Sequence, residues 1–183
     1  MTVKFSLPGS MPSAWSREAD TGTMGPESVG DGWRSPEQLL GFGFRGWIAG
    51  YQTGNIGCWE RVWQVYSNAL GPNAAKVLVG ELSVWAKAVK AGARRHVKVA
   101  PIEACTFCRD ECLAISMIAA SQHKTCPAMR ACAFALIESS LIDEVVHHSD
   151  SLAITMRGLD QVISPNWIVN ASALVDPCAH HAH

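Results

Sequence analysis

The sequence lacks the charge imbalance and the long apolar runs that mark nucleic-acid-binding and membrane proteins. Fifteen basic residues nearly balance sixteen acidic ones, for a formal net charge of −1, so no general positive field attracts a polyanion. No apolar run approaches the roughly 20 residues that a membrane helix needs. The N-terminal stretch MTVKFSLPGSMPSAW has no basic region followed by a continuous apolar segment, so we expect no secretory signal and a cytoplasmic location. We therefore expect neither a nucleic-acid nor a membrane partner.

Recognisable catalytic and nucleotide-binding motifs are also missing. The sequence contains no G-x-S-x-G, no phosphate-binding glycine loop and no dinucleotide fingerprint. Its 183 residues predict one domain that can bury a core without help from disulfides or a metal. These observations favour a non-catalytic protein without deciding the question, and any metal would be functional or locally structural.

Composition divides the chain into three parts. Residues 1–34 are rich in Gly, Pro and Ser and have no apolar period, which predicts a disordered arm. A helical bundle domain is expected over residues 35–165, followed by a loose C-terminal tail at 166–183. The bundle is predicted to begin at Ser35, because Ser35, Pro36 and Gln38 supply a capping hydroxyl, a proline at the first helical position and a glutamine at the third.

Apolar residues recur at helical spacing through most of the domain, and the intervening segments are short. The pattern predicts helices from Ser35, from Asn73 to Gly92, from Pro101 to about Gln122, from Pro127 to about Ser139 and from Ser140 to about Ile163. Whether the first helix breaks near Gly54 and a second begins at Ile56 stays open. A count of five or six helices indicates an all-α helical bundle.

Glycines recur at intervals of three or four along the first predicted helix, at positions 43, 46, 50, 54 and 57. Each glycine costs about 1 kcal/mol relative to alanine inside a helix. A row of them is tolerated mainly where another backbone approaches closely. One functional hypothesis is therefore an interaction protein whose glycine-rich helix packs against a protein partner or a second copy.

Five of the seven cysteines lie between residues 105 and 132. On the helix predicted from Pro101, the thiols of Cys105, Cys108 and Cys112 would share one face. Free cysteine packs as a small hydrophobe, so core packing is one interpretation. Three thiolates on adjacent turns can instead bind a thiophilic metal, as zinc, Cu(I) or part of an iron–sulfur cluster. In that interpretation a further ligand completes the metal site, the candidates being Cys126, Cys132 and His123.

Thiol redox chemistry is a third interpretation of the same residues. Cys105 and Cys108 lie near the start of one predicted helix and Cys126 at the start of the next, where aligned amide dipoles favour the thiolate. In this hypothesis Cys126 or Cys105 attacks a disulfide and Cys108 resolves the mixed disulfide.

Two resemblances bear on these alternatives. Cys105-Thr106-Phe107-Cys108, with Cys112 four residues further on, resembles the C-x2-C-x3-H redox motif of the helical alkylhydroperoxidase D-like proteins. Cys112 occupies the place of that family's histidine, and so departs from its proton relay. The stretch FCRDECLAISMIAASQHKTCPAMRACAFAL resembles uncharacterised helical proteins of root-nodule bacteria, and the likeness extends over residues 35–165. That second resemblance covers most, and not all, of this range, and it implies no known activity.

Other polar residues are interpreted as surface. Four glutamates could supply carboxylates to a metal site, but we interpret them as residues on solvated helix faces: Glu81, Glu103, Glu111 and Glu138. Glu144 and His147 have the spacing used by di-iron bundles, which need a second such pair and two more glutamates.

The function predicted from the sequence is a non-catalytic accessory or regulatory protein with a thiolate metal site on a cysteine-rich helix pair. The alternatives are a thiol–disulfide redox protein of the helical C-x2-C type and an interaction protein whose cysteines are core packing. The partner would be a second copy or another protein.

Overall fold

The computed structural model describes residues 35–168, and this part of the chain confirms the predicted all-α bundle. It contains six α-helices and a short 3₁₀ turn: α1 Pro36–Thr53, α2 Ile56–Leu70, α3 Pro72–Gly92, α4 Arg109–Gln122, α5 Cys126–Ile137, α6 Asp143–Gly158 and the 3₁₀ turn Pro165–Trp167. No strand occurs between residues 35 and 168. The predicted arm 1–34 and residues 169–183 of the predicted tail lie outside the described residues. None of the helices in the described range is long and apolar enough to cross a bilayer.

Local signals place the first two helices. The Ser35 hydroxyl accepts a hydrogen bond from the backbone N–H of Gln38, and the Gln38 side chain accepts one from the backbone N–H of Ser35, both at 3.3 Å. This reciprocal pair confirms the predicted start of α1. Gly54, with φ +71°, ends α1, and Asn55 caps α2 by accepting a hydrogen bond from the N–H of Gly57. The break left open by the sequence is therefore present.

The third helix begins at Pro72, two residues before the start that a cap at Asn73 would give. Gly71, with φ +80°, is the N-cap, and Pro72 is the first helical residue. Proline is well placed there because the first turn of a helix has no acceptor for its N–H. The prediction that Asn73 caps α3 was wrong, whereas the end of the helix at Gly92 is confirmed.

The last helix ends at Gly158 rather than near Ile163. Residues 159–168, which we call the C-terminal strap, leave the helix and run back along α4. The buried Gln122 side chain accepts a hydrogen bond from the N–H of Ile163 at 2.8 Å and donates one to the carbonyl of Gln161 at 2.9 Å. The strap also meets α1, where Glu37 accepts a hydrogen bond from the N–H of Ser164. These bonds satisfy backbone groups that a longer α6 would have used internally.

Helix α4 forms the centre of the bundle. Every residue from Leu113 to Gln122 is buried, and α1, α5, α6 and the 3₁₀ turn pack around it. Small residues such as Ala114, Ala119 and Ala120 let these neighbours approach from several sides. A helix that is apolar on all sides is stable only inside such a shell. The position of α4 determines where the cysteines that flank it can lie.

Candidate functional site

The segment 101–108 is a loop, and not the first two turns of a helix. Its carbonyls point at the guanidinium of Arg45 on α1, which donates hydrogen bonds to the backbone oxygens of Pro101, Ala104 and Thr106 at 3.1, 2.6 and 2.8 Å. A helix would use those oxygens internally, so the loop is favoured over continued helix because Arg45 would otherwise be buried without partners. The prediction that Cys105, Cys108 and Cys112 share one helix was therefore wrong.

Arg45 also pairs with Glu111 on α4. Its Nε lies 2.7 Å from Glu111 Oε1 and its Nη2 lies 3.2 Å from Oε2, and neither side chain has any solvent exposure. Glu111 accepts two further hydrogen bonds, from the backbone N–H groups of Ala100 and Cys108. All five donors of Arg45 and both oxygens of Glu111 are thus satisfied. The interpretation of Glu111 as a solvated face residue was wrong.

A second ion pair holds the connector that precedes this loop. Arg95 contacts both oxygens of Asp110 at 2.6 and 2.7 Å, and Asp110 also accepts a hydrogen bond from the N–H of Lys98. Arg95 further lies 2.9 Å from the carboxylate of Glu138. Segment 93–108 is therefore tied to the start of α4 by two adjacent acids, Asp110 and Glu111, and it contains no strand.

The structure places the predicted thiols in different environments. Cys105 lies exposed in the loop, Cys108 immediately precedes α4 and Cys112 is half-buried in its first turn. The Cys108 thiol donates a hydrogen bond to the carbonyl of Lys98 at 3.2 Å. Cys126 is exposed at the start of α5, and Cys132 is fully buried with its thiol 3.3 Å from the Ser116 hydroxyl. Cys132 is thus part of the core.

His123, the nitrogen donor suggested for a metal site, instead contacts the C-terminal strap. Its Nε2 lies 2.8 Å from the carbonyl oxygen of Ile163, and this distance requires the ring nitrogen to carry a proton and donate. Among the described residues, no group of three or more His, Cys, Asp or Glu side chains is arranged to hold a metal ion. The proposed ligand set remains a prediction from the sequence.

Burial disfavours the thiolate form of three of these cysteines. Burial is the largest of three effects that together raise the pKa of the Cys112 thiol to about 11, and the other two are the neighbouring Cys108 and Glu111. The pKa of Cys108 is also raised, first by burial, although hydrogen bonds from backbone N–H groups oppose the shift. Burial raises the pKa of Cys132, and its side-chain hydrogen bond with Ser116 opposes that shift. These shifts favour neutral thiols at physiological pH.

The glycine row of α1 is covered by this chain's own side chains. A Cβ added at Gly41 would meet the ring of Phe107, and at Gly43, Gly46 and Gly50 it would meet Tyr66, Val62 and Trp59 respectively. The glycines therefore allow α2 and the 101–108 loop to lie close to α1. Gly43, Gly46 and Gly50 of the predicted row are thus covered within the fold, whereas a Cβ at Gly54 would meet nothing within 4 Å. The hypothesis that the glycine-rich helix binds an external partner stays a prediction.

Gly80 differs from the glycines of α1. It lies in the middle of α3 on the solvent side, and a Cβ added there would meet no described atom within 4 Å apart from its chain neighbours and the backbone of its own helix. Val77 and Val84 lie three residues before and four after it, and they are 56% and 44% exposed. These three residues therefore share one face of the helix, which we call the outer face of α3. The sequence alone did not predict this face, because the pattern of α3 is that of an ordinary amphipathic helix.

In comparisons with known proteins, no protein-family model, no curated protein and no solved structure matches the chain.

Proposed function

We propose that this chain is a non-catalytic accessory protein whose outer face of α3 docks a protein partner. The observation that supports the proposal is the unpacked glycine at position 80 between two exposed valines. Glycine in a helix interior costs about 1 kcal/mol relative to alanine, and in α1 that cost is offset by side chains packed over each glycine. At Gly80 no described residue provides such contact, and a close-packed partner would.

The valines add a second reason. Single exposed apolar side chains are common, but apolar residues at i and i+7 with a glycine between them form a continuous strip. Helix–helix contacts use such strips, because the absence of a side chain at the middle position lets the second helix approach. In this proposal the cysteines contribute to packing, as Cys132 does in the core, and the metal and thiol redox hypotheses remain predictions from the sequence.

Photo-crosslinking from the outer face tests the proposal. The photoreactive amino acid p-benzoylphenylalanine is placed at Val84 in the full chain within the producing cells. The control position is Ile154 on α6, which is more exposed, at 66% against 44%. We expect discrete crosslinked species from position 84, identified by mass spectrometry, and not from position 154. The same species from both positions, or none from position 84, would contradict the proposal.

A further inference from the structure

The charges around the outer face of α3 indicate which kind of partner fits it. Lys76, Lys87 and Lys90 are exposed. At about 100° per residue, Lys76 and Lys87 lie along one edge of the strip formed by Val77, Gly80 and Val84, and Lys90 lies further round the helix on the same side. Glu81 lies along the opposite edge and is partly buried. One edge of the apolar strip is therefore basic.

This arrangement matters because the chain as a whole is nearly neutral, with a net charge of −1. α3 carries three lysines and one glutamate, and the lysines do not form an ion pair within the described residues, where the salt bridges all involve arginine. Their ammonium groups are thus available to carboxylates that approach the strip from outside. Charge complementarity across an interface favours the correct partner and its orientation more than it adds affinity.

We infer that the partner of this face is an amphipathic helix whose apolar stripe is flanked by acidic residues. The apolar stripe would pack on Val77 and Val84 with its backbone close to Gly80, and the acidic flank would face Lys76, Lys87 and Lys90. This is the helix-on-helix form of recognition, in which apolar anchors at i, i+3, i+4 and i+7 supply most of the contact. The inference rests on the proposed function and adds the chemical class of the partner.

The test uses two synthetic helical peptides of equal length, with the same leucine stripe but with glutamates or lysines on the flanks. Their binding to the full chain is measured by isothermal titration calorimetry at low and at high salt. We expect the acidic peptide to bind at least about tenfold more tightly than the basic one, with a preference that falls as salt rises. Equal affinity of the two peptides would overturn the inference.

Variants locate the binding on the outer face. Val84→Gln should lower the affinity for the acidic peptide by about tenfold, whereas Ile154→Gln should leave that affinity unchanged. The double variant Lys87→Gln with Lys90→Gln should remove the preference for the acidic peptide and leave the common apolar contribution. All four substituted positions are exposed and helical, so we expect the fold to be retained. An affinity for the acidic peptide that is unchanged by Val84→Gln would overturn the inference.

Two other occupants of the face give different results. A second copy of the chain would produce dimers in sedimentation velocity that Val84→Gln disperses, and an anionic surface would produce binding to vesicles of phosphatidylcholine and phosphatidylserine. Either result without peptide selectivity overturns the inference. Loss of peptide selectivity while position 84 still crosslinks in cells would refute only the partner class. Selective peptide binding without crosslinks would refute the proposed function and not the chemistry of the face.

Discussion

Arg45 of α1 and Glu111 of α4 form an ion pair that is completely buried, with Arg45 Nε 2.7 Å from Glu111 Oε1. A buried pair of charges does not by itself stabilise a fold, because desolvation offsets the attraction. Here the guanidinium also binds three carbonyls of the 101–108 loop. The pair therefore determines the conformation of the segment that carries Cys105 and Cys108.

Removing the cation should destabilise the protein strongly. Arg45→Met leaves the Glu111 carboxylate buried without its partner, which typically costs about 3–5 kcal/mol of the free energy of unfolding. Urea denaturation at neutral pH measures the loss. The matched control is Arg61→Met, because Arg61 pairs with Glu103 at the surface at 3.5 Å, and we expect a change below about 1 kcal/mol there.

The double variant Arg45→Met with Glu111→Met completes a cycle for this pair. Because the second substitution removes the uncompensated charge, it should recover part of the stability lost in Arg45→Met. Destabilisation equal to the sum of the two single variants would show that the two side chains act independently, contrary to this account.

Alanine substitutions should distinguish packed from unpacked glycines. In Gly43→Ala the new methyl group meets the Tyr66 hydroxyl, which is buried and donates to the carbonyl of Leu39 at 2.8 Å. Such overpacking typically costs about 1–3 kcal/mol. Gly80→Ala should instead stabilise the isolated protein by up to about 1 kcal/mol. Thermal unfolding of both variants measures the contrast, and destabilisation by Gly80→Ala would indicate that the position is already packed.

Alkylation rates should follow the thiol environments. Cys105 and Cys126 are exposed and should react with iodoacetamide first, whereas Cys112 should react slowly because its pKa is raised to about 11. The fully buried Cys132 should be modified only when the protein unfolds. Peptide mass spectrometry after timed labelling at neutral pH gives each rate. Rapid labelling of Cys132 in the native protein would contradict its place in the core.

Stability should fall in alkaline solution, partly through Cys112. Its thiol has a pKa of about 11 in the fold against an ordinary value of 9.0, so the unfolded chain releases the proton first as the pH rises. The free energy of unfolding should therefore be unaffected by this group below about pH 9 and decrease between about pH 9 and 11. Cys112→Ala should reduce that decrease relative to the parent protein in urea titrations across the range. An unchanged slope would mean that Cys112 titrates alike in both states.

The sequence predicted those parts of the fold that depend on neighbouring residues. Ser35 and Gln38 cap a helix through atoms three residues apart, and Gly54 ends it through its own backbone conformation. The helix predicted from Pro101 does not form there, because the carbonyls of residues 101, 104 and 106 bind Arg45, which lies far away in the sequence. Arg45 and Glu111 are 66 residues apart in the sequence. No local pattern indicates that an arginine inside an apolar, glycine-rich helix will donate hydrogen bonds to carbonyls of a distant segment.

The candidate site was predictable only in part, for a related reason. Spacing on a helix brings thiols together only if the helix exists, and the 101–108 loop places Cys105 and Cys108 outside α4. The outer face of α3 was missed because exposure depends on which side of the helix the bundle covers. Val77 and Leu78 are adjacent and both apolar, yet Val77 is 56% exposed while Leu78 is 2% exposed.

The hydrogen bond from the Ser164 N–H to Glu37 brings the two ends of the described chain together, at 2.9 Å across 127 residues. A polypeptide that enters and leaves a domain at one point can be reconnected there and opened elsewhere. A circular permutant that joins residue 168 to residue 35 through a short linker, with new ends between Gly54 and Asn55, should therefore retain the fold. By the same geometry, the domain could be inserted whole into a surface loop of a host protein without forcing the host's strands or helices apart.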